Sequence, residues 1–114
     1  MGVYADGSQS LVGQNNPVKA GDGIVIYCTG LGDVDPRLLA GIPAPFDVLS
    51  QAIETVSVTI GGRSARVLFA GPTPGFTGLY QVNAIVPEGL TPGTASLVVN
   101  QASGSSAPVG IAVR

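Results

Sequence analysis

An alternation of apolar and polar residues between positions 55 and 60 is the feature that most constrains how this chain folds. Val56, Val58 and Ile60 fall on one face of an extended backbone, whereas threonine and serine fall on the other. This two-residue period is typical of a β-strand that buries one face. A Gly61-Gly62 pair follows and leads into a second alternating run, so the sequence predicts a β-hairpin here.

The same period recurs between turn residues along most of the chain, and it gives each strand an inward and an outward face. The predicted strands cover residues 24–29, 55–60, 64–70, 79–86, 95–100 and 109–113, with an N-terminal edge strand at 3–5 and an addition at 11–12. Residues expected to face inward include Ile24, Ile26, Cys28, Ala65, Val67, Phe69, Tyr80, Val82, Leu97 and Ile111. The apolar residues expected to face outward are Val25, Leu68, Ile85 and Val98.

Composition supports strands over helices. Glycine and proline number 17 and 9 among 114 residues, and both weaken or break helices. With 45% apolar residues, the chain is too hydrophobic to stay disordered. We therefore expect one all-β domain over residues 1–114, an antiparallel β-sandwich of about seven strands.

Residues 31–54 resist this interpretation, because the segment is too long for an ordinary turn. Asp47 and the apolar residues after it have the spacing of a short, capped helical turn. An irregular strand held by Pro43 and Pro45 is an equal alternative. In either form the segment would lie at one end of the sandwich, where loops often serve recognition.

Charge and hydropathy argue against several classes of partner. Only 11% of the residues are charged, the formal net charge is −2, and no Lys/Arg cluster is dense enough to hold a polyanion. No apolar run approaches the roughly 18 residues of a membrane span, and the opening residues lack the basic start and apolar stretch of a signal peptide. We expect no nucleic-acid partner and no membrane insertion.

A family resemblance rests on three runs of the chain: PVKAGDGIVIYCTGLGDVDP, VSVTIGGRSARVLFAGPTPGFTGLYQVNAIVPEGLTPGTASLVV and the closing PVGIAVR. From about Pro17 to Arg114 the chain resembles a C-terminal Ig-like domain family of large secreted acidobacterial proteins, which is similar to TIG/IPT (E-set) immunoglobulin-like domains. The resemblance implies an Ig-like sandwich, the C-terminal part of a longer protein, and a location outside the cell or in its envelope. The family has no assigned activity, so the resemblance implies no catalytic residue.

The usual groups of catalytic chemistry are missing from the sequence. The chain has no histidine to serve as a general base, and its single cysteine, Cys28, occupies an inward strand position. Asp47, Glu54 and Glu88 can be paired only arbitrarily, and Gly30-Leu31-Gly32 lacks the rest of a phosphate-loop motif, so it is interpreted as a turn. We expect a protein that is not an enzyme and holds no cofactor, with Cys28 as a buried structural thiol.

Asp33 and Asp35 form the one pattern that resembles a metal site. Their spacing can begin a calcium loop, but the glycine and the bidentate glutamate of such a loop are missing. A solvated acidic turn is therefore favoured over calcium binding.

The loop 71–78 holds the single candidate binding residue, Phe76. Prolines and glycines surround it, and an exposed ring there could anchor a protein or a sugar. The favoured alternative is a ring folded back over the end of the sandwich. Nearby, Gln81 and Asn83 share one strand face, where they either contact a ligand or hydrogen-bond within the fold.

These features favour a non-catalytic structural or interaction module, which spaces or displays an exported protein or contacts a protein partner. The alternative is a carbohydrate-binding accessory module. The small number of aromatic side chains, three Phe, three Tyr and no Trp, argues against it. A third hypothesis is a homodimer formed through an exposed strand, suggested by the outward apolar residues.

Overall fold

The computed structural model describes residues 2–5, 11–13, 16–28, 34–35, 51–76, 79–101, 104–106 and 108–114, with the backbone alone at 34–35. Every regular element in these ranges is a β-strand, which confirms the all-β prediction. The two alternatives proposed around Pro43, Pro45 and Asp47 lie outside the described residues.

The described strands pair in an antiparallel manner throughout. They are β1 (Gly2–Ala5), β2 (Gly23–Cys28), β3 (Val34–Asp35), β4 (Gln51–Ala52), β5 (Ser57–Ile60), β6 (Arg63–Pro72), β7 (Tyr80–Ile85), β8 (Gly93–Gln101), β9 (Gly104–Ser105) and β10 (Val109–Val113). One sheet has the order β1-β2-β7-β6-β5-β8-β10, with β9 beside β8, and β3 pairs separately with β4. Each strand predicted from the alternation is present, with its ends displaced by at most a few residues.

Strand β6 belongs to two parts of the sheet, the part β1-β2-β7-β6 and the part β6-β5-β8-β10. Residues 63–65 pair with β5, and residues 66–72 pair with β7. The register shifts between Val67 and Phe69, so Leu68 is the extra residue of a β-bulge. Because an extra residue reverses the alternation, Ala70 packs against the core and Phe69 lies in register with Asn83 on the other face. The prediction that Phe69 faces inward is wrong for this reason.

Both parts of the sheet contribute to one hydrophobic core. Its residues are Val3, Val18, Ile24, Ile26, Val56, Val58, Ile60, Ala65, Val82, Ala84, Val86, Ala95, Leu97, Val99, Ile111 and Val113. Apart from Val18, which lies in no predicted strand, and Val3, whose predicted strand has no assigned face, these are residues of the inward faces that the alternation assigns.

The apolar residues predicted to face outward do not form a continuous exposed patch. Val25 is buried, because it lies directly between Tyr4 on β1 and Asn83 on β7, and cross-strand neighbours at that spacing cover a small side chain. Val25 therefore faces outward as predicted, but it is not exposed. Ile85 and Val98 are half-buried, and Leu68 is exposed at the bulge. The apolar surface on which the homodimer hypothesis rested is therefore reduced mainly to one side chain.

Residues 11–13 and 16–18 lie against the outermost strands at both sides of the sheet. The Val12 N–H donates to the Val3 carbonyl at 3.0 Å beside β1. On the far side, the Val18 N–H donates to the Ala112 carbonyl at 3.0 Å, and the Arg114 N–H donates to the Val18 carbonyl at 2.8 Å. The chain thereby covers part of both edges, which otherwise invite pairing with another chain.

The predicted hairpin at Gly61-Gly62 is confirmed. These glycines have φ angles of 58° and 80° and join β5 to β6, the geometry of a type I′ turn. The Gly61 N–H donates to the Ser96 carbonyl at 2.8 Å, which fastens the turn to β8.

Candidate functional site

Phe76 lies at the end of a tight turn that projects beyond β6. The Phe76 N–H donates to the Thr73 carbonyl at 3.2 Å, with Pro74 and Gly75 at the two central positions. Gly75 has a φ of 82°, so the turn has the residues and geometry of type II. The Phe76 side chain is 56% exposed, so the interpretation of a ring folded back over the end of the sheet is wrong.

Thr73 is the buried first residue of this turn. It is 6% exposed, and its N–H donates to the Leu79 carbonyl at 2.8 Å. Its hydroxyl oxygen is buried and has no hydrogen-bond partner in the described part of the chain. Because the turn is built from a proline, a positive-φ glycine and a buried threonine, it presents the Phe76 ring from a stiff support.

The outer face of the β1-β2-β7-β6 part is organised in two rows of side chains. The strand registers place Tyr4, Val25, Asn83 and Phe69 in one row, and Gly2, Tyr27, Gln81 and Gly71 in the next. The Gln81 Nε2 donates to the Asn83 Oδ1 at 3.1 Å. Of the two predicted roles for this pair, hydrogen bonding within the fold is therefore present, and it runs along one strand.

Sequence reasoning missed an aromatic pair on that face. The rings of Tyr4 and Tyr27 meet edge to face, with centroids 5.6 Å apart and planes at 74°. Their contact depends on β1 lying beside β2, which no local pattern reveals. The signal that could have found it is the presence of a tyrosine in each of the two predicted strands.

A depression of about 480 Å³ lies at the end of the sheet where two turns meet. Its wall includes the Gly61-Gly62 turn, Arg63, residues 89–91 and the start of β8. Gly61 sits so close to Leu90 that a Cβ at position 61 would lie 3.0 Å from the Leu90 Cδ2. Leu90 in turn packs against the core, and this packing holds the part of the lining that Leu90 supplies in place.

The Arg63 guanidinium lies flat against Gly89 in this depression. A Cβ on Gly89 would come within 2.8 Å of the Arg63 Cζ and 3.1 Å of both Nε and Nη2. Since three atoms of the planar group are almost equidistant from that point, its face meets the glycine and its N–H edge points elsewhere. Within the described residues Arg63 forms no ion pair or side-chain hydrogen bond. Sequence reasoning missed this arrangement because Arg63 and Gly89 are brought together only by the packing of two turns.

Cys28 lies at the end of β2, where it is half-buried and packs against the core. Burial raises the pKa of its thiol. The thiol packs against the core as predicted, but it is half-buried and not fully buried as the sequence predicts.

We expect Cys28 to react slowly with an aromatic disulfide reagent at pH 8, at a rate at least about tenfold below that of the urea-unfolded chain, because the thiolate is the reactive species. Since the folded pKa is raised, the rate should climb as the pH increases beyond 8. Absorbance of the released thiol measures both rates. Equal rates in the folded and unfolded protein would contradict the protection of this half-buried thiol.

The remaining predicted sites lie partly outside the described residues. Asp35 lies in β3, whereas Asp33 and Gly30-Leu31-Gly32 lie outside the description, so their interpretations stay predictions. Glu54 and Glu88 lie on separate segments of the chain. The described residues bring no three of His, Cys, Asp and Glu together in a group that could hold a metal ion.

No family model, curated protein or solved structure matches this chain. Within the described residues, no helix has the length and hydropathy to cross a membrane.

Proposed function

We propose that this chain is a non-catalytic Ig-like β-sandwich module of an exported protein, and that it makes protein contacts through the Phe76 turn. The Ig-like part of the proposal is supported by the two parts of the sheet that share one core, and by the family resemblance of residues 17–114. The non-catalytic part is supported by the absence of histidine from the sequence.

The exposed Phe76 ring is the observation that supports protein contact most directly. An aromatic side chain that is 56% exposed on a stiff turn offers a large contact area and loses little conformational freedom on binding. Contacts through the sheet edges are disfavoured, because residues 11–13 and 16–18 already lie against parts of both outer strands. The turn is therefore the surface of the described chain best suited to a neighbouring module or protein.

Site-specific photo-crosslinking tests this proposal. We expect benzoylphenylalanine at position 76, introduced into the natural gene, to form a defined adduct with one protein segment when the producing cells are irradiated. Position 68 is the matched control, because Leu68 is 55% exposed on the same strand-and-turn segment. Mass spectrometry of the crosslinked peptides identifies the partner. An absence of adducts at position 76, or the same adducts from both positions, would contradict the proposal.

A carbohydrate-binding module is the second candidate, and the pair Tyr4 and Tyr27 beside Gln81 favours it. Rings next to amide groups are a common means of holding sugars, since the rings stack and the amides hydrogen-bond. The rings here are half-buried and packed against each other, which leaves less face for stacking than Phe76 offers. Saturable binding of a neutral polysaccharide, without any protein adduct at position 76, would favour this candidate over the first.

A further inference from the structure

The depression between the two turns contains a cation whose hydrogen-bonding edge meets no partner within the described residues. Arg63 is one of only five lysine and arginine residues in the chain. Its guanidinium rests on Gly89 by its face, and it has no carboxylate partner within the described residues. Glu88 is adjacent to Gly89 in sequence, but its side chain is exposed and makes no ion pair with Arg63.

Gly89 is required for this position of Arg63. Its φ of 82° favours glycine, and any Cβ there would collide with the guanidinium. The glycine thus lets the planar group lie against the backbone by its face, while the exposed side chain keeps its N–H edge accessible. A guanidinium placed in this way is suited to two parallel hydrogen bonds to one oxyanion.

The surroundings suit a small ligand with both polar and apolar parts. The depression of about 480 Å³ falls within the usual range for small-molecule sites. Leu90 and Ala95 supply apolar lining, and the hydroxyl-bearing residues Thr91, Thr94 and Ser96 complete it. The Gly61 to Ser96 hydrogen bond holds one wall in place.

We propose that this depression binds an oxyanion group, a carboxylate, phosphate or sulfate, on a small hydroxylated molecule such as an acidic sugar. The proposal is independent of the Phe76 turn, which lies on a different loop, and it adds a ligand site to the protein-contact role.

Amide chemical shifts of the ¹⁵N-labelled chain test the proposal, with glucuronate, inorganic phosphate, inorganic sulfate and glucose titrated separately. We expect saturable shifts at Gly62, Gly89 and Ser96 with at least one of the anions, and none with glucose. Saturation by glucuronate alone would identify an acidic sugar as the source of the group. Saturation by phosphate or sulfate would identify a general oxyanion site.

Three variants show whether Arg63 is responsible. Arg63→Gln should weaken binding at least about tenfold, because it removes charge-assisted hydrogen bonds. Arg63→Lys should also weaken it, since an ammonium group keeps the charge but loses the planar fork. Arg66→Gln is the matched control: it makes the same charge change three residues along β6, outside the depression, and should leave affinity unchanged.

Arg63 is exposed, so these variants are expected to fold, and their spectra report this directly. The proposal is overturned if no anion gives saturable shifts, if glucose binds as well as the anions, or if Arg66→Gln weakens binding as much as Arg63→Gln.

Discussion

Leu97→Ala is expected to lower the free energy of unfolding by about 2–5 kcal/mol, the range found when a large aliphatic side chain is removed from a packed core. Leu97 is fully buried at the centre of β8, opposite Ile60 on β5 and Val109 on β10. Its side chain belongs to the core that both parts of the sheet share, so the cavity left by alanine has few ways to collapse. Urea unfolding followed by circular dichroism measures the loss.

Leu68→Ala is the matched control for this experiment. It removes the same atoms from a leucine that is 55% exposed at the bulge, so the expected change is within about 0.5 kcal/mol. Similar losses in the two variants would contradict the assigned burial of one or the other leucine.

Val18→Asp is expected to destabilise the chain by about 3–5 kcal/mol at pH 7, because it leaves a charge buried without a partner. Val18 is 2% exposed and lies beside β10, where its backbone makes two hydrogen bonds to the C-terminal strand region. Aspartate can keep both backbone bonds, so the loss reports on the side chain alone. Urea unfolding at pH 7 measures it.

The pH dependence of this variant provides an internal check. Burial raises the pKa of an introduced carboxyl in the folded state above its unfolded value, so the folded state binds the proton more tightly. The penalty should therefore shrink as the pH falls towards 4 and grow as it rises. Ala20→Asp adds the same charge at an exposed position two residues along, and it should show neither the loss nor this pH dependence. Equal behaviour of the two variants would mean that Val18 is not part of the core.

The strands and most of their faces follow from the sequence, because side chains alternate strictly along extended backbone. The prediction fails at Leu68, where one additional residue reverses the alternation and moves Phe69 to the outer face. At Val25 the predicted outward face is correct but the burial is missed, because alternation shows which side of a strand a residue faces and not whether neighbouring strands cover that side. Both errors arise from pairing between distant segments, about which a local pattern contains no information.

The candidate sites likewise include one that local sequence features predict and one that depends on contacts between distant segments. Phe76 could be found from the sequence, since proline and glycine at the centre of a turn and an aromatic residue after them are local features. The contact between Arg63 and Gly89 could not be found in this way, because no local pattern relates two distant segments of the chain. The Gly61-Gly62 turn next to Arg63 can be predicted, whereas its contact with the segment around Gly89 depends on the order in which β5, β6 and β8 pair.

Because β6 pairs with strands in both parts of the sheet, it also affects how the protein unfolds. Residues 63–65 complete one part of the sheet, and residues 66–72 complete the other, so neither part retains its full set of backbone partners if the strand is lost. We therefore do not expect the two parts to unfold as separate units. Loss of either part would remove the strand with which the other part pairs, so we expect the sheet to unfold in a single cooperative transition.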